Sequence, residues 1–175
     1  MPRCKNCKEK FERRYFNQKF CLESNCVKAF SEHVKEQNWK KKKAKMQRDL
    51  QTLSELLKLA QVVFNRFIRM RDQNQPCISC GKKLRENNID AGHYWSAGGH
   101  SNVRFDEDNV HAQCSRPCNK DLHGDLLNYQ IGIQRRIGAD RLIELNGRAH
   151  KGRKYSKDEV RDIIDLYKQK IKDLT

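Results

Sequence analysis

The segment between residues 77 and 124 contains polar side chains at spacings that suit metal chemistry. Asn119 and His123 are four residues apart, so on a helix beginning near Pro117 both would project from one face. A strand-like stretch upstream contains His93. Amide oxygen and imidazole nitrogen are suitable ligands for Mg²⁺, Mn²⁺ or a transition ion. The pattern predicts a ββα arrangement holding one divalent cation; the alternative is that Asn119 and His123 are ordinary helix-surface residues.

The cysteines predict two further metal sites, of a structural kind. All eight occur in close pairs, which are Cys4 and Cys7, Cys21 and Cys26, Cys77 and Cys80, and Cys114 and Cys118. Because no apolar leader or membrane span is visible, we expect a reducing cytosol, where paired cysteines bind metal more often than they form disulfides. The first four cysteines predict one structural Zn²⁺ site and the last four another, since four thiolates leave no position for water.

The charge of the chain predicts a polyanionic partner. The formal net charge is +15 and the isoelectric point is near 9.6, which favours nucleic acid, although a merely solubilising surface fits the charge equally well. We expect no membrane partner. One segment, residues 39–45, is here called the lysine run, and it would track DNA phosphates or remain solvated. It contains Lys40, Lys41, Lys42, Lys43 and Lys45.

The N-terminal residues 1–30, here called the finger, interleave basic residues with Phe11, Tyr15, Phe16 and Phe20. These aromatic side chains could contact DNA directly or form the small core of the finger. The spacing of the residues favours neither alternative.

Residues 31–72 lack proline and glycine and predict one long helix. Its apolar residues recur in steps of four and three, as in a coiled coil, at Met46, Leu50, Leu53, Leu57, Ala60, Phe64 and Phe67. This seam would either pair two copies of the chain or pack on the rest of the molecule. We predict a homodimer through residues 46–67.

The remaining elements complete a mostly helical α+β fold. Residues 103–105 look strand-like, residues 126–137 and 139–145 look helical with Gly138 between them, and residues 146–155 read as a loop. Ser156 and Glu159 form a capping-box signature that opens a last helix ending near Leu174. The predicted regions are the finger at 1–30, a basic helix at 31–72, a ββα core at 73–130 and a helical region at 131–175.

Several of these residues together resemble a known family. The Cys-x2-Cys pair, the strand His93 and the polar residue directly after Cys118 are similar to the Cys4 form of HNH endonucleases. The run from Asp90 to Tyr94, with Arg104-Phe105, Asn109 and Gln113-Cys114, resembles more closely the bacteriophage lambda NinG (Rap) family of recombination endonucleases. The resemblance covers most of the chain and implies cutting of Holliday junctions and D-loops, in the cytosol of a host cell if the protein is phage-encoded.

The resemblance also implies roles for particular residues. His93 would be the base that takes a proton from water, and Asn109 would hold it in orientation. Arg104 would bind phosphate. Many HNH proteins have an acidic ligand directly before this histidine, but here that residue is Gly92. Asp90 would join Asn119 and His123 as a ligand if the strand bulges, whereas a regular strand would place it on the face opposite His93.

These expectations combine into a metal-dependent endonuclease that uses Mg²⁺ or Mn²⁺ for hydrolysis and two Zn²⁺ ions for structure. The rival interpretation is a non-catalytic, zinc-dependent DNA-binding adaptor for recombination. The missing acidic residue next to His93 favours the rival. The combined presence of His93, Asn109, Asn119 and His123 favours the nuclease, because a pure binding module does not require that set.

Overall fold

The computed structural model describes all residues from 1 to 175, which form two compact units, residues 1–51 and residues 52–175. The chain has five α-helices and one two-stranded antiparallel sheet. It is therefore α+β and mostly helical, as the sequence predicts. None of its helices combines the length and apolar character needed to cross a membrane.

The first unit consists of the finger and one exposed helix, α1 (Ser24–Leu50). Cys4, Phe11 and Cys26 form its small buried cluster, with Phe20 packed against them. Only Cys26 is buried along the 27 residues of α1. A helix that is polar on all sides gains little from packing, so the cysteine cluster is the main stabilising feature of this unit.

The predicted single helix over residues 31–72 is wrong, because the structure breaks it at Gln51 and Thr52. The second helix, α2, spans Leu53–Arg71 and starts with its own capping box. Thr52 Oγ1 accepts a hydrogen bond from the Glu55 backbone N–H, and the Glu55 carboxylate accepts one from the Thr52 N–H. This reciprocal pair satisfies two N–H groups that a helix start would otherwise leave unpaired, and it requires Thr52 to be extended.

The second unit is built on the packing of α2 against the last helix, α5 (Lys157–Asp173). Phe64 packs edge-on against Tyr167 with ring centroids 4.7 Å apart. Leu53, Leu57, Ala60, Phe64 and Phe67 of the seam all pack inside this unit, and only Met46 and Leu50 are exposed. Most of the seam is thus used for packing within the second unit, and the homodimer through residues 46–67 stays a prediction.

The sheet pairs β1 (Ile89–His93) with β2 (Val110–Cys114) without a bulge. On one face, Ala91 and Val110 pack with Phe64 of α2. On the other face, the hydroxyl of Tyr129 donates to the Gly92 carbonyl and accepts from the His111 N–H. The sheet is thus enclosed between α2 and the helix that carries Tyr129.

That helix is α3 (Leu126–Ile137), with the predicted bounds, and α4 (Ala139–Ala149) follows it after Gly138. The α4 helix runs four residues beyond the predicted 139–145, and the capping box predicted at Ser156 and Glu159 is confirmed. The residues 103–105 are not a strand, since a 3-10 turn occupies Ser101–Val103. A Cβ at Gly132 in α3 would overlap the Ile78 carbonyl oxygen, so only glycine permits this close approach between α3 and the Cys77 turn.

Candidate active site and metal centres

The second cysteine cluster has the geometry of a four-thiolate zinc site. The sulfur of Cys77 lies 3.9 Å from that of Cys118, and the sulfur of Cys80 lies 3.4 Å from that of Cys114. Sulfur atoms about 2.3 Å from a tetrahedral zinc ion are about 3.8 Å apart, so the spacing fits. All four sulfur atoms lie within 4.8 Å of one another. This site joins the turn after α2 to the end of β2.

The first cluster, Cys4, Cys7, Cys21 and Cys26, has the same compactness, with all sulfur atoms within 4.8 Å of one another. The Cys7 and Cys21 sulfurs are 3.8 Å apart. No disulfide is formed at either cluster. Both clusters can therefore hold a metal ion, in agreement with the two predicted structural zinc sites.

His93 lies half-buried at the end of β1, among polar groups of the second unit. Its Nε2 atom is 3.3 Å from the Arg104 carbonyl oxygen and 3.4 Å from Gln61 Nε2 of α2. Burial and the positive charge of Arg104 lower the pKa of His93 below its ordinary value, despite the opposing effect of backbone carbonyls. The imidazole is consequently neutral near pH 7, as a proton acceptor must be.

The groups around His93 are held in one arrangement by Gln61. The Nε of Arg104 donates to Gln61 Oε1 at 2.9 Å, and since a guanidinium can only donate, the amide oxygen must face it. The amide nitrogen of Gln61 then faces Asn65 Oδ1, at 2.8 Å, and His93. The terminal nitrogens of Arg104 make no hydrogen bond to the protein. They are free for an external anion, as the predicted phosphate-binding role requires.

Asn109 is fully buried and fixes the loop that follows His93. Its Oδ1 accepts from the Trp95 N–H at 2.7 Å, and its Nδ2 donates to the carbonyls of Trp95 and Val103 at 2.9 and 3.0 Å. The Asn109 carbonyl also accepts from the Tyr94 N–H. Asn109 therefore makes hydrogen bonds across the loop directly after His93 but none to His93 itself, and its role in orienting His93 stays a prediction.

Asp90 and Asn119 come together, but on the other face of β1. Asn119 Nδ2 donates to Asp90 Oδ2 at 2.9 Å. Because β1 is regular, with Asp90 opposite Gln113 and His93 opposite Val110, side chains three residues apart point to opposite faces. Asp90 and Asn119, two of the three predicted ligands, thus lie together on one face of β1. The predicted base His93 lies on the opposite face.

His123 does not join Asp90 and Asn119 through any protein contact. The helix predicted from Pro117 is only a short turn that ends before His123: a π-helical segment spans Ser115–Asn119, and His123 has a left-handed backbone with φ 48°. The N–H groups of Asp121 and Leu122 donate to the Pro117 carbonyl and close this turn. His123 is exposed after this turn, and the next α-helix begins only at Leu126.

The relatives of the chain decide which family it comes from. The family model described as bacteriophage lambda NinG protein matches residues 1–175. The chain belongs to the NinG family. It is 34% identical to protein ninG of Escherichia phage lambda and 35% identical to protein ninG of Salmonella phage P22, in each case over 98% of this chain and 92% or 93% of the relative. Protein ninG of Escherichia phage 933W is 34% identical over the same shares, 98% and 92%. No solved structure gave a significant match.

The lysine run of this NinG-family chain lies on α1, where Lys40, Lys41, Lys42, Lys43 and Lys45 are all exposed. One of them, Lys40, pairs with Glu36 at 2.6 Å. In the finger, Phe11 and Phe20 belong to the small core, while Tyr15 and Phe16 are exposed. The core alternative therefore holds for Phe11 and Phe20, and DNA contact by the exposed Tyr15 and Phe16 stays a prediction.

A buried network that sequence reasoning missed holds the hairpin to α2. Asp72 Oδ2 accepts from the Ala112 N–H at 2.9 Å, and Arg71 donates to Asp72 and to the Val110 carbonyl. Burial alone would raise the pKa of Asp72, but His111 and Arg71 outweigh it and hold that pKa far below its usual range. Because these residues are about 40 positions apart in sequence, no local pattern could have found the network.

Proposed function

We propose that this protein is a metal-dependent endonuclease of the HNH type that hydrolyses phosphodiesters in branched DNA such as Holliday junctions and D-loops. The observation that carries the proposal is His93, a neutral imidazole with a lowered pKa at a strand end, next to a loop fixed by Asn109. A buried structural histidine would need no such loop and no free guanidinium beside it. General-base catalysis needs both a positioned acceptor and a place for the phosphate.

His93 would take the proton of the attacking water at its imidazole. If Nε2 receives the proton, the new N–H can donate to the Arg104 carbonyl oxygen, which is 3.3 Å away. The same residue offers its free guanidinium nitrogens to the phosphate, so Arg104 serves the reaction through both its backbone and its side chain. Gln61 keeps this guanidinium in place through the 2.9 Å hydrogen bond.

Asp90 and Asn119 fit a hard divalent cation. Asp90 supplies a carboxylate, and Asn119 supplies an amide whose oxygen is not used in the hydrogen bond to Asp90. When bound, Mg²⁺ or Mn²⁺ would stabilise negative charge on the phosphate and on the departing 3′ oxygen. Lys120 Nζ lies 4.0 Å from Asp90 Oδ2 and would repel this cation, so it would have to turn away from Asp90, towards the phosphate, when the metal binds.

The open edge of β1 lies between the two groups of residues. The sheet has only two strands, so the side of β1 away from β2 has no neighbouring strand. A DNA backbone crossing this edge would meet His93 on one face and the Asp90 and Asn119 side on the other. The exposed lysine run supplies charge that attracts the phosphate backbone without regard to sequence. The preference for branched DNA rests on the resemblance to the recombination endonucleases.

A non-catalytic DNA-binding adaptor is the second candidate. Two observations favour it, namely glycine in place of an acidic residue before His93, and the placement of Asp90 and His93 on opposite strand faces. Such a protein would keep the zinc sites and the basic surface but would cut nothing.

The deciding experiment compares a labelled four-way junction with a linear duplex of matching sequence, in Mg²⁺, Mn²⁺ or EDTA. We expect metal-dependent cutting of the junction, reduced about 10²- to 10⁴-fold in His93→Ala, which is the usual contribution of a general base. Junction binding should be unchanged in that variant. His150→Ala is the matched control, since His150 is exposed at the end of α4 and should leave cutting at the wild-type rate. Tight binding without cutting in any metal would establish the adaptor instead.

The pH profile of cutting tests the environment of His93. Because burial lowers its pKa, the neutral base persists below the ordinary histidine value of about 6.5. The single-turnover rate should therefore be on its plateau at pH 7 and reach half its maximum below pH 6.5, then fall as His93 becomes protonated. A half-maximum above pH 6.5 would contradict this placement of the imidazole.

A further inference from the structure

Gln113 of β2 contains a buried oxygen atom that has no partner. The residue is fully buried, and its Nε2 donates to the Gly124 carbonyl and to Ser79 Oγ, both at 2.6 Å. Since the Gly124 carbonyl can only accept, the amide nitrogen must face it, and the oxygen must point the other way. Oε1 makes no hydrogen bond although it is buried, which is unusual and costly for a side-chain acceptor.

This oxygen occupies the space directly above Gly92. A Cβ built on Gly92 would overlap Gln113 Oε1 and would lie 3.1 Å from both Cβ and Cδ of the glutamine. No side chain fits at position 92 while Gln113 keeps its two hydrogen bonds. The absent acidic residue before His93 is thus explained by packing, because an oxygen from the neighbouring strand fills the same position.

Two other oxygen-bearing side chains lie on the same face of the sheet. Asp90 is the direct cross-strand partner of Gln113, and adjacent partners have their Cβ atoms about 4.5 to 5.5 Å apart. Asn119 is hydrogen-bonded to Asp90. The carboxylate of Asp90 and the amides of Gln113 and Asn119 provide the hard oxygen ligands that Mg²⁺ and Mn²⁺ prefer.

We propose that Gln113 Oε1 is a ligand of the catalytic cation, in place of the acidic side chain that Gly92 lacks, together with Asp90 and Asn119. This inference rests on the proposed nuclease function. It gives the orphaned oxygen its missing partner and assigns Gly92 a specific role, which is to leave room for the amide. With one formal negative charge among its ligands, the site would bind the cation weakly until a phosphate adds further charge.

The test measures Mn²⁺ binding to the zinc-loaded full chain by electron paramagnetic resonance, without DNA. Gln113→Leu removes the oxygen atom. Gly92→Ala leaves the glutamine in the sequence, but its new Cβ on the neighbouring strand displaces the Gln113 oxygen. Both should weaken Mn²⁺ binding about tenfold or more, while Gln130→Leu, the same substitution at an exposed position of α3, should bind as the wild type does. Two zinc ions per chain and an unchanged circular dichroism spectrum show that each variant is folded.

Wild-type affinity in both folded variants, or no Mn²⁺ site in the wild type, would overturn the inference. Cleavage assays on the same proteins keep it distinct from the nuclease proposal. If Gln113→Leu binds Mn²⁺ and cuts junctions normally, the nuclease stands and the ligand is wrong. If Mn²⁺ binding depends on Gln113 in a chain that cuts nothing, the ligand is right and the nuclease is wrong.

Discussion

The two cysteine clusters begin with the same turn but serve differently built units. In the finger, the Cys4 N–H donates to the Glu9 carbonyl at 2.8 Å and the Lys8 N–H donates to the Cys4 carbonyl at 3.1 Å. In the second unit, Cys77 pairs with Lys82 and Gly81 with Cys77 in the same way, at 2.9 and 3.0 Å. A Cys-x2-Cys turn therefore folds alike in both places, because its hydrogen bonds are local.

The surroundings of the two turns differ. The finger cluster packs only with Phe11 and Phe20, so the cysteines are most of the core of that unit. The Cys77 turn instead packs under α3 and is joined to Gln113 through Ser79. The same cysteine turn thus belongs to a cluster that forms most of the small core of one unit. In the other unit it packs beside the candidate active site.

The charges of the two units differ as well. Residues 1–51 contain 15 lysines and arginines and 6 acidic residues, an excess of nine positive charges in 51 residues. Residues 52–175 contain 22 and 16, an excess of six in 124 residues. The first unit is consequently the more basic of the two, while the second contains the candidate chemistry.

Removing zinc should produce the largest difference between the units. Structural zinc contributes about 10 to 16 kcal/mol in small zinc domains, so the chelated finger should lose all amide protection. The α2 and α5 helices should keep theirs, because Leu56, Phe64 and Ile164 bury apolar surface without metal. Hydrogen exchange measured by mass spectrometry on the full chain checks this. A protected finger in the chelated protein would show that its few apolar contacts suffice.

Neutralising the lysine run should weaken DNA binding without changing the rate at which bound DNA is cut. Replacing its five lysines by glutamine should weaken DNA binding by at least about tenfold and reduce the salt slope by up to about 4.5, at roughly 0.9 per lost phosphate contact. Cutting of saturating junction should stay unchanged.

The charge-matched control for the lysine run changes five exposed lysines of the second unit, Lys151, Lys154, Lys157, Lys168 and Lys172. Its salt slope should stay close to that of the wild type. Equal losses in the two variants would mean that net charge alone drives binding and that α1 has no special role.

The smallest expected effect compares the two turns directly. Lys8 and Gly81 hold equivalent left-handed positions, with φ 65° and 68°. This conformation costs a residue with a side chain about 1 to 2 kcal/mol more than glycine, so Lys8→Gly should tighten zinc binding by the finger, and Gly81→Ala should weaken the second site. Zinc competition with a chromophoric chelator measures both, at about tenfold per 1.4 kcal/mol. Shifts of the same sign would show that the turns are not equivalent.

Much of the architecture was predictable where local signals govern it. The cysteine pairs, the bounds of Leu126–Ile137 and the capping box at Ser156 all follow from neighbouring residues. The break before α2 could also have been predicted, since Thr52 and Glu55 form another capping box. The high helix propensity of residues 31–72 led instead to the prediction of one continuous helix. The helix predicted from Pro117 forms only a short turn, because the backbone becomes left-handed at His123.

Sequence alone determined the two metal-binding turns, the basic first unit and the residue types available for chemistry, since each depends on composition or on short spacings. Tertiary structure decided which of those residues meet. Gln61 reaches His93 across 32 positions, and Gln113 fills the space at Gly92 across 21. The apolar residues of α2 that belong to the seam pack against α5 of the same chain. Such contacts depend on strand register and helix packing, which are set by the whole core and are not visible in any local spacing.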